Sequence, residues 1–186
     1  MNKDKLYFDK DADLNIIKSK KVGIIGYGNQ GKAQALNLID SGVNVTVGIR
    51  KNSKNKKLLK SYNIKYDTIS NVAKNCDVIS LLIPDKVIPV VFNKYILPYL
   101  TKGQTILFSH GYNIHYKTIS VPDYVNIVMA APSGGGKVVR DSFKDGRGVP
   151  TLIAVDNDFT GDSLDLIKSY SKAIGGTRVC AFLSTF

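Results

Sequence analysis

Three glycines set the first chemical possibility. Gly26-Tyr27-Gly28-Asn29-Gln30-Gly31 has the G-x-G-x-x-G spacing in which a backbone can approach a dinucleotide pyrophosphate. Gly26 would permit the tight turn, Gly28 the approach of the phosphates, and Gly31 the close packing of a helix on a strand. The free amides and partial positive charge of that helix's first turn would then face the anion. A second possibility lies at Arg50, with Ser53 and Asn55 just beyond it. A βαβ unit that takes NAD usually carries Asp or Glu where its second strand ends. Arg50 in that place would grip a 2′-phosphate bidentately, with Ser53 and Asn55 adding hydrogen bonds, which favours NADP. Residues 50–57 also read as a plain solvated basic loop. The third possibility is His110, which follows an apolar run. A histidine exchanges protons near neutral pH, and a loop at a strand end can bring it to a substrate. Its other reading is a hydrogen-bonding role in the Gly111-Tyr112-Asn113 turn. His115 reads as structural, and Tyr112 and Tyr116 as packing residues.

The elements that must position these groups follow from hydrophobic periodicity. Residues 21–26 form the continuous apolar run of a parallel strand covered on both faces. Residues 30–41 carry apolar side chains at helical spacing and stop at Ser41-Gly42, and residues 43–49 are rich in β-branched types. Residues 21–49 therefore predict one βαβ unit with a right-handed crossover. Beyond it the sequence predicts a basic helix over 54–61, a strand over 64–66, a helical turn over 69–75 and a strand over 77–83. A helix over 86–100 and a strand over 104–109 follow, the latter ending at His110. Strands over 126–131 and 151–155 and a helix over 163–174, closed by Gly175-Gly176, continue the alternation. The predicted fold class is α/β: a doubly wound, Rossmann-type, mostly parallel sheet with helices on both faces, forming one domain over 1–186. The apolar segment 179–186 has no polar cap, which predicts that further chain normally follows.

Composition narrows the function classes. With 186 residues, 44% of them hydrophobic and 22% charged, the chain can bury a sizeable core and does not resemble a disordered segment. No apolar run is long enough to cross a bilayer, and residues 1–5 lead into no signal-peptide core, so no membrane partner and a cytoplasmic location are expected. Cys76 and Cys180 lie far apart, without a Cys-x-x-Cys spacing or a nearby histidine cluster. They predict buried free thiols rather than zinc ligands or a disulfide framework, and no metal site within this chain. The net charge of +11 would suit a polyanion, but the lysines are scattered and form one dense cluster, 50–60. A nucleic-acid partner is therefore not expected.

Further motifs run in order along the chain: Tyr7-Phe8-Asp9-Lys10-Asp11-Ala12-Asp13-Leu14, the glycine loop, and Ala35-Leu36-Asn37-Leu38 followed by Asp40-Ser41-Gly42-Val43. They continue through Val47-Gly48-Ile49-Arg50, Leu82-Ile83-Pro84-Asp85, His110-Gly111-Tyr112-Asn113-Ile114-His115, Ala131-Pro132, Gly148-Val149-Pro150 and Gly175-Gly176-Thr177-Arg178. In these motifs and their order the chain resembles ketol-acid reductoisomerase, also called acetohydroxyacid isomeroreductase, over nearly its whole length. The resemblance implies the N-terminal NADPH domain of an enzyme that uses NADPH and magnesium. That enzyme converts 2-acetolactate or 2-aceto-2-hydroxybutyrate to 2,3-dihydroxy-3-methyl acids, in valine, leucine and isoleucine biosynthesis. By the same resemblance the cofactor positions are Gly26, Tyr27, Gly28, Asn29, Gln30 and Gly31 in the phosphate loop, and Arg50, Ser53 and Asn55 at the 2′-phosphate. Asp85, Lys86, Val87 and Ile88 lie along the cofactor edge, Gly136 is a further contact, and His110 is the active-site histidine.

Two departures qualify what is implied. The family's Ala-Pro-Lys-Gly-Pro-Gly reads Ala131-Pro132-Ser133-Gly134-Gly135-Gly136, so Ser133 replaces the active-site lysine. Lys137 would restore the charge only if the glycine run lets the loop refold. The family's magnesium ligands belong to a C-terminal helical domain, so they are expected outside this chain. The chain alone is then expected to bind NADPH without turning over acetolactate, and a separate C-terminal domain or a homo-oligomer would be its partner. Two other readings remain: an NADP-dependent dehydrogenase acting on a small hydroxy acid without magnesium, and a decayed or repurposed NADPH-binding module without catalysis.

Overall fold

A computed structural model describes residues 6–186; residues 1–5, read above for a leader, lie outside the described residues. Among the described residues nine strands form one sheet: β1 (Leu6–Tyr7), β2 (Lys21–Ile25), β3 (Asn44–Ile49), β4 (Tyr66–Thr68), β5 (Val78–Leu81), β6 (Thr105–Phe108), β7 (Asn126–Pro132), β8 (Thr151–Asn157) and β9 (Ala181–Leu183). Their order is β1-β9-β8-β7-β6-β5-β2-β3-β4. The six strands from β4 to β7 are all parallel, and chain order reverses on either side of β2. This is the doubly wound Rossmann order, whose switch point opens a crevice at the carboxyl ends of β2 and β5. At the other edge β7 pairs antiparallel with β8, β8 parallel with β9, and β9 antiparallel with β1.

The apolar runs read as strands are buried because helices cover both faces. Side chains alternate across β2, so Val22 and Ile24 join the core beneath helices α1 (Leu14–Lys18), α2 (Asn29–Asp40) and α8 (Ser163–Ala173). Ile25 joins the opposite core, with Val72 and Ala73 of α4 (Ile69–Asn75) and with Phe92 and Ile96. Between these elements α3 (Lys56–Ser61) buries only Leu59. Cys76 and Cys180 are buried free thiols, as expected. Among the described residues no helix is long and apolar enough to cross a membrane.

Several elements differ from expectation. The single helix over 86–100 is instead a 3-10 turn (Asp85–Val87), α5 (Ile88–Val91), a π turn (Phe92–Ile96) and a second 3-10 turn (Leu97–Tyr99). Pro98 has no amide hydrogen to give, so a regular ladder cannot run through it. A short α6 (Tyr112–His115) follows β6, and α7 (Gly136–Lys144) emerges directly from the glycine run, burying Val139 and Phe143. The apolar segment 179–186 contains β9, whose Ala181 is fully buried between β8 and β1, so its apolar character has a place within this chain. Tyr112 and Tyr116 are exposed rather than packed into the core, their rings 4.8 Å apart on each other.

Candidate functional site

The glycine loop joins β2 to α2 at the switch point, and its three glycines have three separate environments. Gly26 has φ +99°, a conformation L side chains rarely adopt, and a Cβ there would lie 2.6 Å from Ile83. A Cβ at Gly31 would collide with the Gly26 carbonyl, so the glycine allows α2 to start hard against the strand end. At Gly28 nothing lies within 4 Å of a Cβ position: the backbone faces open space. Gly28 also caps α2 without a side chain, so its first-turn amides have no capping oxygen. This arrangement can receive an anion.

Connected cavities follow the strand ends. One of about 340 Å3 lies between Gly26, Tyr27, Arg50, Ser53, Asn55 and Val87. It shares Ile83 and Pro84 with one of about 360 Å3 formed by Gly28, Asn29, Gln30, Asp85, Ile88, Phe108 and His110. From Arg50 a larger space of about 620 Å3 extends to Thr68, Ser70 and Tyr95. Sequence reasoning missed these last three residues. Their signal was positional: Thr68 ends β4 and caps α4, its hydroxyl accepting from the Asn71 amide.

Arg50 is exposed and enters no ion pair among the described residues. Its cation is therefore available to a ligand. The loop beyond it is ordered by its own hydrogen bonds. The Ser53 amide donates to the Arg50 carbonyl at 2.9 Å, the Asn55 amide to Ser53 Oγ at 3.3 Å, and Asn55 Nδ2 to the Tyr27 carbonyl at 3.1 Å. Asn55 thereby ties the basic loop to the glycine loop, a tie that a freely solvated loop would not need. Tyr27 has a buried hydroxyl with no partner among the described residues, and burial pushes its phenol up.

At the other end of the groove His110 is largely exposed. The Tyr112 amide donates to His110 Nδ1 at 3.3 Å, and Asp85 Oδ2 lies 3.6 Å from the same nitrogen. Asn113, fully buried, donates from Nδ2 to Asp85 Oδ1 at 3.3 Å. Both the Tyr112 amide and the Asp85 carboxylate meet Nδ1, and Nε2 has no partner among the described residues. The turn-stabilising and proton-transferring readings of His110 thus use different ring nitrogens and coexist.

Gln30 does not extend freely into the groove; its Nε2 donates to the Gly134 carbonyl at 2.8 Å. Gly136 is buried against the glycine loop, where a Cβ would collide with the Asn29 carbonyl. Ile88 and Val87 line the groove, whereas the exposed Lys86 lines none of these cavities. Ser133 is exposed, its amide bonded to the Pro150 carbonyl at 2.8 Å. The idea that a refolded loop presents Lys137 in place of the lysine is not realised. Lys137 sits in the first turn of α7 and pairs with Asp141 one turn on, at 2.5 Å, which raises the lysine pKa and lowers the carboxylate's. Among the described residues no three His, Cys, Asp or Glu side chains gather into a metal site.

Comparison with known proteins agrees with this geometry. The NADPH-binding domain of acetohydroxy acid isomeroreductase, as a family model, matches residues 16–180. The chain is 48% identical over 184 residues to the ketol-acid reductoisomerase (NADP(+)) of Methanocaldococcus jannaschii and 46% identical over 182 residues to that of Pyrococcus abyssi. Each match covers 98% of this chain and 55% of the relative, so the chain spans about half the length of the curated relatives it matches. The solved structure of an NADH-preferring ketol-acid reductoisomerase from an uncultured archaeon superposes with a TM-score of 0.93 at 35% identity, covering 98% of this chain and 56% of that one. Pyrroline carboxylate reductase of Plasmodium falciparum, at 17% identity and a TM-score of 0.57, shares the fold alone. Through residues 16–180 the chain belongs to the acetohydroxy acid isomeroreductase family, as its NADPH-binding domain.

Proposed function

We propose that this chain is the NADPH-binding domain of a ketol-acid reductoisomerase acting on 2-acetolactate or 2-aceto-2-hydroxybutyrate in branched-chain amino-acid biosynthesis. The observation that carries the cofactor choice is Arg50, an unpaired cation at the end of β3 facing a groove that runs past the glycine loop to His110. Gly28 and the first-turn amides of α2 receive the pyrophosphate, and Arg50 with Ser53 grips the 2′-phosphate. Asn55 holds the loop that carries them, and Asp85, Val87 and Ile88 form the cofactor edge. NADPH, when bound, supplies a hydride to the substrate carbonyl. His110, where the groove ends, would supply a proton to the substrate oxygen through Nε2.

Among the described residues no cluster of carboxylates forms a magnesium site, and in this reading the metal ligands belong to the family's helical half, outside this chain. The two free thiols fit a reducing compartment, and the reading places the protein in the cytoplasm. Titration of the 186-residue chain with NADPH and NADH, with and without magnesium, tests the assignment. Magnesium-independent binding with NADPH preferred is expected; equal affinities would overturn the role of Arg50. Turnover of acetolactate by the chain alone would overturn the placement of the metal ligands.

One observation favours a second reading, a cofactor module without catalysis. Ser133 brings no charge, and Lys137 is held by Asp141 on α7. Supplying the helical half in trans separates the two: tight NADPH binding with no turnover would favour the module.

A further inference from the structure

Behind the glycine loop runs a chain of hydrogen bonds that meets the cofactor positions at Gln30. The Tyr170 hydroxyl donates to Gln34 Oε1 at 2.8 Å, and Gln34 Nε2 donates at 3.1 Å both to Gln30 Oε1 and to Ser109 Oγ. Gln30 Nε2 passes the chain to the Gly134 carbonyl, and the Ser109 hydroxyl passes it to the Ala130 carbonyl at 3.0 Å. Tyr170 and Gln34 are fully buried. Burial pushes the Tyr170 phenol up, so its hydroxyl keeps its proton and remains a donor.

Each bond in this chain has a single sense. Gln34 gives both amide hydrogens and accepts one; turning its amide over would set its oxygen against Gln30 Oε1, two acceptors facing each other. The Gly134 and Ala130 carbonyls, which can only accept, set that sense, and the Tyr170 hydroxyl completes the chain by satisfying Gln34 Oε1; deleting it leaves that buried oxygen without its donor. The chain ties together three segments beside the groove. These are the first turn of α2 at Gln30, the end of β6 where Ser109 precedes His110, and Gly134 in the run before α7.

We propose that Tyr170 and Gln34 are positioning residues for the cofactor site: the Tyr170 hydroxyl, acting through Gln34, holds the α2 turn, the His110 strand end and the Gly134 loop in one arrangement before NADPH arrives. The proposal rests on the NADPH reading above. It accounts for a polar side chain, Gln34, at a fully buried position of α2 where an apolar residue would pack without needing partners.

A double-mutant cycle on NADPH affinity tests it. Tyr170→Phe keeps the ring and deletes only the hydroxyl; Gln30→Met keeps the length and deletes the amide. Because Tyr170 and Gln30 share no direct bond, independent effects would add. The expected result is a loss of about 3- to 10-fold for each single variant, the scale of one net hydrogen bond, with the double variant no weaker than the poorer single. The NADPH-to-NADH ratio should not move, since the chain touches no 2′-phosphate contact. Ser80→Ala removes the other neighbour of the Tyr170 hydroxyl, at 3.4 Å, and should leave affinity within about twofold. If Tyr170→Phe folds poorly, Gln34→Met, which keeps the length and removes the amide that links Tyr170 to Gln30 and Ser109, should show the same loss. Additive losses, unchanged affinity in Tyr170→Phe, or an equal loss in Ser80→Ala would overturn the proposal. A wild-type chain that binds no NADPH would instead overturn the cofactor reading itself.

Discussion

Gly136 packs backbone to backbone on Asn29, so closely that a Cβ at position 136 would collide with the Asn29 carbonyl. The start of α7 is thereby fixed against the first turn of α2, and the groove wall includes both. One residue earlier, a Cβ at Gly135 would meet nothing within 4 Å. The two glycines are neighbours in sequence and opposites in tolerance.

Gly136→Ala should therefore displace the Asn29 turn. Overpacking of this kind costs about 1–3 kcal/mol, and because the turn belongs to the groove, NADPH affinity should fall with stability. Gly135→Ala should change neither. Thermal melts and NADPH titrations of the two variants side by side check this; equal behaviour would mean that the close approach does not constrain the groove.

Arg50→Asp combined with Ser53→Asp should reverse the cofactor preference. A charge-assisted hydrogen bond contributes about 1.5–3 kcal/mol, so NADPH affinity should fall by one to two orders of magnitude while NADH, which lacks the 2′-phosphate, should gain. The NADH-preferring relative at 35% identity makes such a reversal compatible with the shared fold. Unchanged NADPH affinity in the double variant would remove Arg50 from the site.

Much of this was legible because local chemistry and tertiary structure agree. Residues 21–49 read as a βαβ unit since β2 and β3 are apolar runs and α2 begins at a glycine turn, all local signals. The glycine loop was legible for the same reason. The start of α7 was not, because Ser133 to Gly136 reads as loop, and only packing of Val139 on Ala33 selects a helix there. The 3-10 turn over Leu97–Tyr99 carries Pro98 in its first positions, a local signal that the apolar pattern outweighed. Tyr170 and Gln34 were invisible for a different reason: a buried hydrogen-bond chain joins residues 136 positions apart, and no local window contains both.

Stability should decline above pH 9 in a way traceable to Cys76. Burial pushes this thiol up from 9.0 to about 11 in the folded protein. Between those values the unfolded chain releases the proton and the native chain keeps it, so the native state binds more protons and stability falls as pH rises. The full effect is on the order of 2 kcal/mol, reached near pH 11. Denaturant melts at pH 8 and pH 11 should show a smaller difference for Cys76→Ala than for wild type; parallel differences would assign the decline to other groups.

The replacement of the family lysine by Ser133 leads to a prediction about catalysis. Lys137 cannot take its place while it lies on α7 paired with Asp141, because that helix directs it along its own surface and the cavity at His110 does not include it. In an enzyme completed with the helical half, Lys137→Ala should leave turnover unchanged, since an exposed pair one helical turn apart contributes little. Ser133→Lys should raise turnover at constant NADPH affinity, as the loop between Pro132 and Gly134 already holds position 133 exposed, its amide fixed to Pro150. Steady-state rates with saturating NADPH measure both. A loss of activity in Lys137→Ala would show that the α7 lysine leaves Asp141 during the reaction and serves the site after all.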